Sequence, residues 1–315
     1  MASVKVSIII PVYNGSNYLA NAIDCALNQT YKNIEVIVVN DGSSDNGATE
    51  KIALEYGDKI KYIYKDNGGV SSALNMGISA MSGEYFSWLS HDDLYSQDKV
   101  ECALNLLKKN NAIGKKVVAF TSGYFIDSTG TKLKNFPTYF NENKLYSGVE
   151  VVNAMTKKGT LNGCCMLIPN NAFIEVGGFD ESLRYSQDAL MWYKIFLSGY
   201  SLISDNFQNV MYRLHRKQTS QLRRDLFEHD SLIIAKLLLE PLAVNSQDSD
   251  LLFNYIKRLS KYNCKQAINY MCQLSRQNGY LSKTDLLKLD VHKAIGYIRY
   301  KIVSNGKKLL ILLNS

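Results

Sequence analysis

Carboxylates stand where apolar runs give way to polar turns. Asp41 follows the run 34–39 in the segment Asn40-Asp41-Gly42, and Asp92 and Asp93 follow 84–89 in Ser90-His91-Asp92-Asp93. A third break of this kind, Tyr13-Asn14-Gly15, follows 4–12. A single carboxylate so placed can accept hydrogen bonds from a base or a ribose. Two adjacent ones are hard oxygen ligands, suited to Mg²⁺ or Mn²⁺ held between protein and phosphates. Read alone, Asp92-Asp93 also has the form of an Asx turn or a helix cap.

The elements that must position these groups alternate strand and helix. The segment 4–12 is a nearly continuous β-branched run, as in a strand buried on both faces, and 34–39 is a second. Strands at 60–64 and 84–89 and helices at 17–28, 44–56 and 71–81 complete a βαβαβαβ pattern, with Ser44 as an N-cap and Gly57 as a C′ residue. The pattern predicts a doubly wound, mostly parallel α/β sheet, whose ligands bind beyond the carboxyl ends of the strands. Further on, the sequence predicts a helix at 97–110, a strand near 117–124, an irregular stretch at 125–160, a short strand at 163–168 and a helix at 189–197. Beyond Asp230 only helices are expected, at 231–240, 248–262, 264–277 and 284–303. The domains are therefore drawn as 1–228 and 229–315.

Composition narrows the class. The 315 residues are 46% hydrophobic and 21% charged, which excludes a disordered chain, a collagen and a coiled-coil rod. No apolar run approaches the roughly 20 residues of a membrane helix, and the first ten residues do not read as a signal peptide. The six cysteines show neither CxxC nor zinc spacing and read as reduced thiols of a cytoplasmic protein. No GxGxxG follows the first strand and no P-loop is present, so a metal is expected to carry the charge of a bound diphosphate.

Six segments, in order and in register, carry a resemblance. They are SIIIPVYNGSNYL (7–19), EVIVVNDGSSD (35–45), NGGVSSALNMG (67–77), YFSWLSHDDLY (85–95), GGFDESLRYSQDALMW (177–192) and YRLHRKQTS (212–220). Over about residues 4–222 the chain resembles a non-processive family 2 glycosyltransferase of bacterial polysaccharide biosynthesis. The resemblance implies a GT-A-like fold, with a Rossmann-like nucleotide-binding half followed here by a helical extension. It implies an inverting enzyme that moves a hexosyl or N-acetylhexosaminyl group from a nucleotide-diphosphate donor to an acceptor hydroxyl. Uridine is expected as the base before thymidine or guanosine.

Residue by residue, the resemblance implies that Pro11, Tyr13 and Asp41 line the base pocket and that Asn75 contacts the donor. Asp92 is the carboxylate of a D-x-D motif, holding Mn²⁺ or Mg²⁺ together with His215. Asp93 orients the donor sugar, Asp188 is the catalytic base, and Arg213 and His215 close over the diphosphate. Trp192, one helical turn beyond the base, is the candidate for stacking on an acceptor sugar. Leu74, Ser90 and Gln187 depart from the pattern, which often has Arg before Asn75, Asp at the first D-x-D position and Glu before the base. The QxxRW motif of processive enzymes is absent. The residues also admit blander roles, with Asp188 as a helix cap, His215 as a structural histidine, and Trp88, Cys164 and Cys165 as core. The alternative function is a non-catalytic sugar-nucleotide binder or scaffold subunit of a glycan synthase complex.

Charge sets the last part apart. Residues 231–315 hold 13 Lys+Arg against 5 Asp+Glu and carry the chain's whole basic excess. Val291, Ile295, Ile298 and Ile302 form one apolar stripe, with Arg299 and Lys301 beside it and Lys307-Lys308 beyond. Two readings stand open. In one, 291–315 lies on an anionic leaflet, at the inner face of the plasma membrane, near a lipid-linked glycan acceptor. In the other, it packs on its own bundle or on a second subunit of a homodimer. No recognition motif supports a nucleic-acid partner.

Overall fold

Runs rich in Val and Ile lie side by side as parallel strands, and the chain builds outward from them. The computed structural model describes residues 3–215, 218, 226–239, 249–279, 281–282, 284–285 and 287–294. β1 (Val6–Val12) is parallel to β2 (Ile34–Asp41) on one side and to β4 (Tyr85–Trp88) on the other. β3 (Lys61–Lys65) adds in parallel outside β2. All of β1 is buried, as a strand covered on both faces must be. The chain returns between these strands through α1 (Leu19–Leu27), α2 (Ala48–Leu54) and α3 (Val70–Ala80). A Cβ at Gly77 of α3 would stand 2.5 Å from Ile9 of β1. That close approach explains a mid-helix glycine that costs about 1 kcal/mol in propensity.

Past β4 the sheet becomes mixed. Its remaining strands are β5 (Leu94–Tyr95), β6 (Val117–Ile126), β7 (Lys132–Asn135), β8 (Lys144–Tyr146), β9 (Met166–Pro169) and β10 (Ser201–Arg213). The main path runs β3-β2-β1-β4-β9-β6-β10-β5, with β7 on β6 and β8 on β10. β9 is antiparallel to both neighbours, and β10 is parallel to β6. The helices here are α4 (Lys99–Lys109), α5 (Gly148–Lys158), α6 (Asn171–Val176) and α7 (Gln187–Leu197). Lys99 is wholly buried and donates to Ser87 Oγ at 2.7 Å and Met166 O at 3.0 Å, its ammonium 4.4 Å from the Tyr95 ring centre. Burial pushes this lysine down to about 8.

Several elements differ from their sequence reading. The stretch 125–160 is not irregular but holds β7, β8 and α5. β7 (KLKN) is exposed throughout and has no apolar alternation to reveal it. Part of its anchorage is ionic contact with rings, Lys132 lying 4.3 Å from Tyr124 and Lys134 5.3 Å from Phe125. The helix expected at 44–56 is shortened at its start. Ser44 is engaged by Asn14, while Asp45 accepts from the Thr49 N–H at 3.1 Å and the Thr49 hydroxyl at 2.6 Å. The strand at 163–168 begins only at Met166, after a 3₁₀ turn in which Asn162 Oδ1 caps Cys164 N at 2.9 Å.

At the opposite end of the parallel strands from the polar turns, Glu35 gathers a small network. Its carboxylate accepts from Ser7 Oγ at 2.5 Å, Ser82 N at 2.6 Å and Gly83 N at 3.1 Å, with Lys5 Nζ 3.4 Å away. Burial pushes the Glu35 carboxyl up, but the hydrogen bonds from Ser7 and Ser82 and the charge of Lys5 outweigh it, so the net shift is down. A depressed folded value means stability that is full above the ordinary 4.5 and lost as pH falls through the folded value. Glu35→Gln should cost about 2 kcal/mol at neutral pH and flatten the acid limb of the unfolding curve. An unchanged acid limb in urea titrations would remove Glu35 from that role.

The described residues within 1–151 and 160–222 form one compact unit, and those within 152–159 and 223–315 form another. The second unit contains α8 (Leu226–Ile234), a π turn at Ala235–Leu239, α9 (Ser249–Lys261) and α10 (Lys265–Asn278), then helical residues up to 294. α10 ends at Gly279 in the left-handed region (φ 69°), as its glycine suggests. Ile256, Leu259, Ile268, Met271, Cys272 and Leu289 are buried in this unit, and Arg258 donates to Met155 O at 3.0 Å. No described helix is long and apolar enough to cross a membrane. Of the tail at 291–315, residues 295–315 lie outside the described residues. Leu287 and Val291, one turn apart, are 68% and 55% exposed.

Candidate active site

The polar turns after β1, β2 and β4 share one rim of the parallel half, because parallel strands put all their carboxyl ends on one side. The first two turns are stitched together. Asn14, at φ 50°, receives Ser44 N on its Oδ1 at 2.7 Å, and its own N–H donates to Ser43 Oγ at 2.9 Å. Tyr13 is 47% exposed here, with its hydroxyl 3.4 Å from Ser44 Oγ, free to present a ring face to a base. Pro11, also expected in the base pocket, is buried within β1 opposite Val39.

Asp41 occupies the rim, where its carboxylate accepts four hydrogen bonds. Lys65 Nζ donates to Oδ1 at 2.7 Å, as does Gly68 N at 2.9 Å. Gly69 N donates to Oδ2 at 2.7 Å and Asn67 Nδ2 at 3.3 Å. Asp41, expected to line the base pocket, thus accepts four donors from the end of β3 and the loop between β3 and α3.

At the end of β4 the chain turns so that Asp92 and Asp93 point apart. Asp92 Oδ2 lies 2.9 Å from His215 Nε2, and both side chains are about 15% exposed. Asp93 is buried, accepting the Arg213 backbone N–H on Oδ1 at 2.9 Å, with Cys164 Sγ 3.6 Å from Oδ2. Burial and then the charge of Asp92 push its carboxyl well above the ordinary range. Asp93, expected to orient the donor sugar, thus links the end of β4 to β10. Arg213 is likewise turned inward, 3% exposed. Its Nε donates to Asp92 O at 2.9 Å and its Nη1 to Ser128 O at 3.2 Å, and its guanidinium lies 4.4 Å from the Tyr18 ring centre. Arg213, expected to close over a diphosphate, here holds the carbonyls of Asp92 and Ser128. It fastens the Asp92 backbone while β10 delivers His215.

The helix that carries Asp188 is approached through 177–186. Asn75, expected to contact the donor, is bonded to this segment. Its Nδ2 donates to Phe179 O and Glu181 Oε1, each at 2.9 Å, and its Oδ1 accepts Phe179 N at 2.7 Å. Asp188 lies in the first turn of α7, with Oδ1 accepting Ala189 N at 2.7 Å. Trp192 is completely buried and its indole N–H donates to Leu161 O at 3.1 Å, which rules out stacking on an acceptor. Helical periodicity places it on the inward face of α7, against Phe179.

The sequence gives no site role to Tyr18, Lys65 or Arg184. Tyr18 reads as one apolar residue of a helix, yet its ring also lies 5.4 Å from that of His215. Among the described residues no group of three or more His, Cys, Asp or Glu side chains could hold a metal. The chain offers a pair, Asp92 and His215. Their 2.9 Å separation fits two adjacent ligand atoms of one octahedral ion, about 3.0 Å apart for bonds of about 2.1 Å. The carboxylate oxygen suits Mn²⁺ or Mg²⁺ and the imidazole is the softer ligand of the pair, the remaining positions being left to phosphate and water.

A parallel half with a polar rim, joined to a mixed half that brings an imidazole to the carboxylate there, is the architecture of a nucleotide-dependent transferase. Residues 7–177 match the glycosyl transferase family 2 profile, and the chain belongs to that family. A glycosyltransferase of Rickettsia bellii is 49% identical over 218 residues, covering 69% of this chain and 31% of the relative's length. The minor teichoic acid biosynthesis protein GgaB of Bacillus subtilis is 28% identical over 263 residues, covering 79% of this chain and 28% of its own. The chain thus spans about a third of these relatives. The crystal structure of S. aureus TarS 1-349 in complex with UDP-GlcNAc superposes with a TM-score of 0.68 at 15% identity, covering 97% of this chain and 92% of that one. The fold is GT-A-like, followed by C-terminal helices.

Proposed function

We propose that the chain is an inverting, metal-assisted glycosyltransferase. It moves a hexosyl or N-acetylhexosaminyl group from a UDP-sugar to a hydroxyl of a glycan in cell-surface polysaccharide synthesis. The observation that carries this reading is the Asp92–His215 pair at the rim of the parallel half. The UDP-GlcNAc bound by TarS and the teichoic acid role of GgaB support the donor and the pathway class.

In this reading Tyr13 covers the base, and Asp92 and His215 hold Mn²⁺ or Mg²⁺. The bound ion supplies positive charge to the leaving diphosphate. Asp188 takes the proton of the acceptor hydroxyl as that oxygen forms a bond to the anomeric carbon. The bond from that carbon to the diphosphate oxygen breaks in the same displacement, which inverts the configuration. One carboxylate suffices, in contrast to the pair of a retaining glycosidase. The proposal takes 1–228 as the catalytic domain and 229–315 as a separate basic domain. It places the acceptor on a lipid carrier, with 291–315 against an anionic leaflet at the inner face of the plasma membrane. Sedimentation of the full chain with phosphatidylglycerol vesicles reads that contact, and a dimer in solution without vesicle binding would favour packing between subunits.

The test of the core reading is thermal stabilisation by nucleoside diphosphates. UDP with Mn²⁺ should raise the melting temperature by mass action, and EDTA should reverse the rise. An equal rise with and without the ion would remove the metal from donor binding.

A further inference from the structure

Arg184 lies on the segment 177–186 that leads into the Asp188 helix, and it reaches across to the nucleotide-binding half. Its Nη1 donates to Gly68 O at 2.8 Å. The residue is exposed, and this is its one hydrogen bond among the described residues. A guanidinium has five N–H donors in a planar fork, so most of its capacity is unspent. Gly69 makes room for it. That residue has φ 90°, and a Cβ there would stand 2.6 Å from Arg184 Nη1. The loop beneath is tied to β2, since Gly68 N and Gly69 N both donate to Asp41.

The position fits a gap in the site. A departing diphosphate needs cations aimed at its oxygens. Arg213, expected there, is buried and bound to backbone carbonyls. Lys65, the last residue of β3, is paired with Asp41 at 2.7 Å. Arg184 sits at the carboxyl ends of β2 and β3, where a parallel sheet receives its ligand, with its donors uncommitted.

We propose that Arg184 contacts the phosphate oxygens of the bound nucleotide and so ties occupancy of the donor site to the segment that carries Asp188. The assignment rests on the glycosyltransferase reading above. In the absence of nucleotide the guanidinium parks on the Gly68 carbonyl. With nucleotide bound, its fork turns to the phosphate, which guanidinium geometry matches in bidentate fashion.

Titration calorimetry on the full chain with Mn²⁺ tests this by comparing UDP with uridine, which shares the base and ribose but lacks phosphate. Arg184→Ala should weaken UDP about 10–100-fold, the range for a lost charge-assisted contact, and leave uridine bound as in the wild type. Arg184→Lys should recover part of the loss, restoring the charge without the fork. A wild-type melting temperature in both variants shows that the fold is intact. Equal weakening of UDP and uridine would mean that Arg184 acts through the loop, and the assignment falls. Unchanged UDP affinity in Arg184→Ala overturns the assignment alone. A wild-type chain that binds none of UDP, GDP or dTDP overturns the donor reading and the assignment with it.

Discussion

Replacing Asp188 by Asn should slow sugar transfer by about 10²–10⁴-fold, the usual contribution of a positioned general base, while leaving UDP affinity and melting temperature near wild type. The choice of Asn separates two roles. Asp188 Oδ1 accepts the Ala189 N–H at 2.7 Å in the first turn of α7, and an amide oxygen can make the same bond. A capping role therefore survives the substitution, whereas proton abstraction does not. Transfer at the wild-type rate in Asp188→Asn would eliminate this residue as the base. A chain that binds UDP but shows no transfer in the wild type either would favour a nucleotide-binding scaffold.

The second large effect is expected at Asp92 and His215. Asp92→Asn and His215→Ala should each cost about 10²–10³ in transfer rate, the scale for losing one electrostatic partner of a developing charge. Each should also abolish the Mn²⁺-dependent part of UDP stabilisation. The double variant should be little worse than either single one, because groups that act as a unit are not additive. Full additivity in the cycle would mean that the two residues serve separate ends, with the 2.9 Å contact serving structure only.

Much of the first half of the fold is legible in the sequence, for a physical reason. Strands buried on both faces must be apolar at every position, so β1 and β2 announce themselves, as do the polar turns that end them. β10 is harder to see. Its pairing with β6 is interrupted between Ser204 and Val210, and Asp205, Asn206 and Gln208 break the apolar run. The direction of individual side chains is less legible still. Arg213 and Tyr212 are adjacent on one strand and face opposite sides, so which reaches a ligand depends on the register of a strand that was not predicted. Asp41 looks like a free acceptor until Lys65, 24 positions on, is seen beside it. Asn75 and Phe179 are 104 positions apart, and nothing local marks them as partners.

The two tryptophans have a consequence for how this molecule can be watched. A Cβ at Gly163 would meet Trp88 at 2.6 Å and Trp192 at 2.9 Å, so both indoles converge on one glycine. The chain has two tryptophans, and both belong to the first compact unit. Emission excited selectively at tryptophan therefore tracks loss of structure around the nucleotide-binding and base-bearing elements and is silent on the C-terminal helices. Those helices dominate the second unit and contribute to far-ultraviolet ellipticity. Following the two signals through one denaturant titration would show whether the units melt together or one at a time, with no label attached to either.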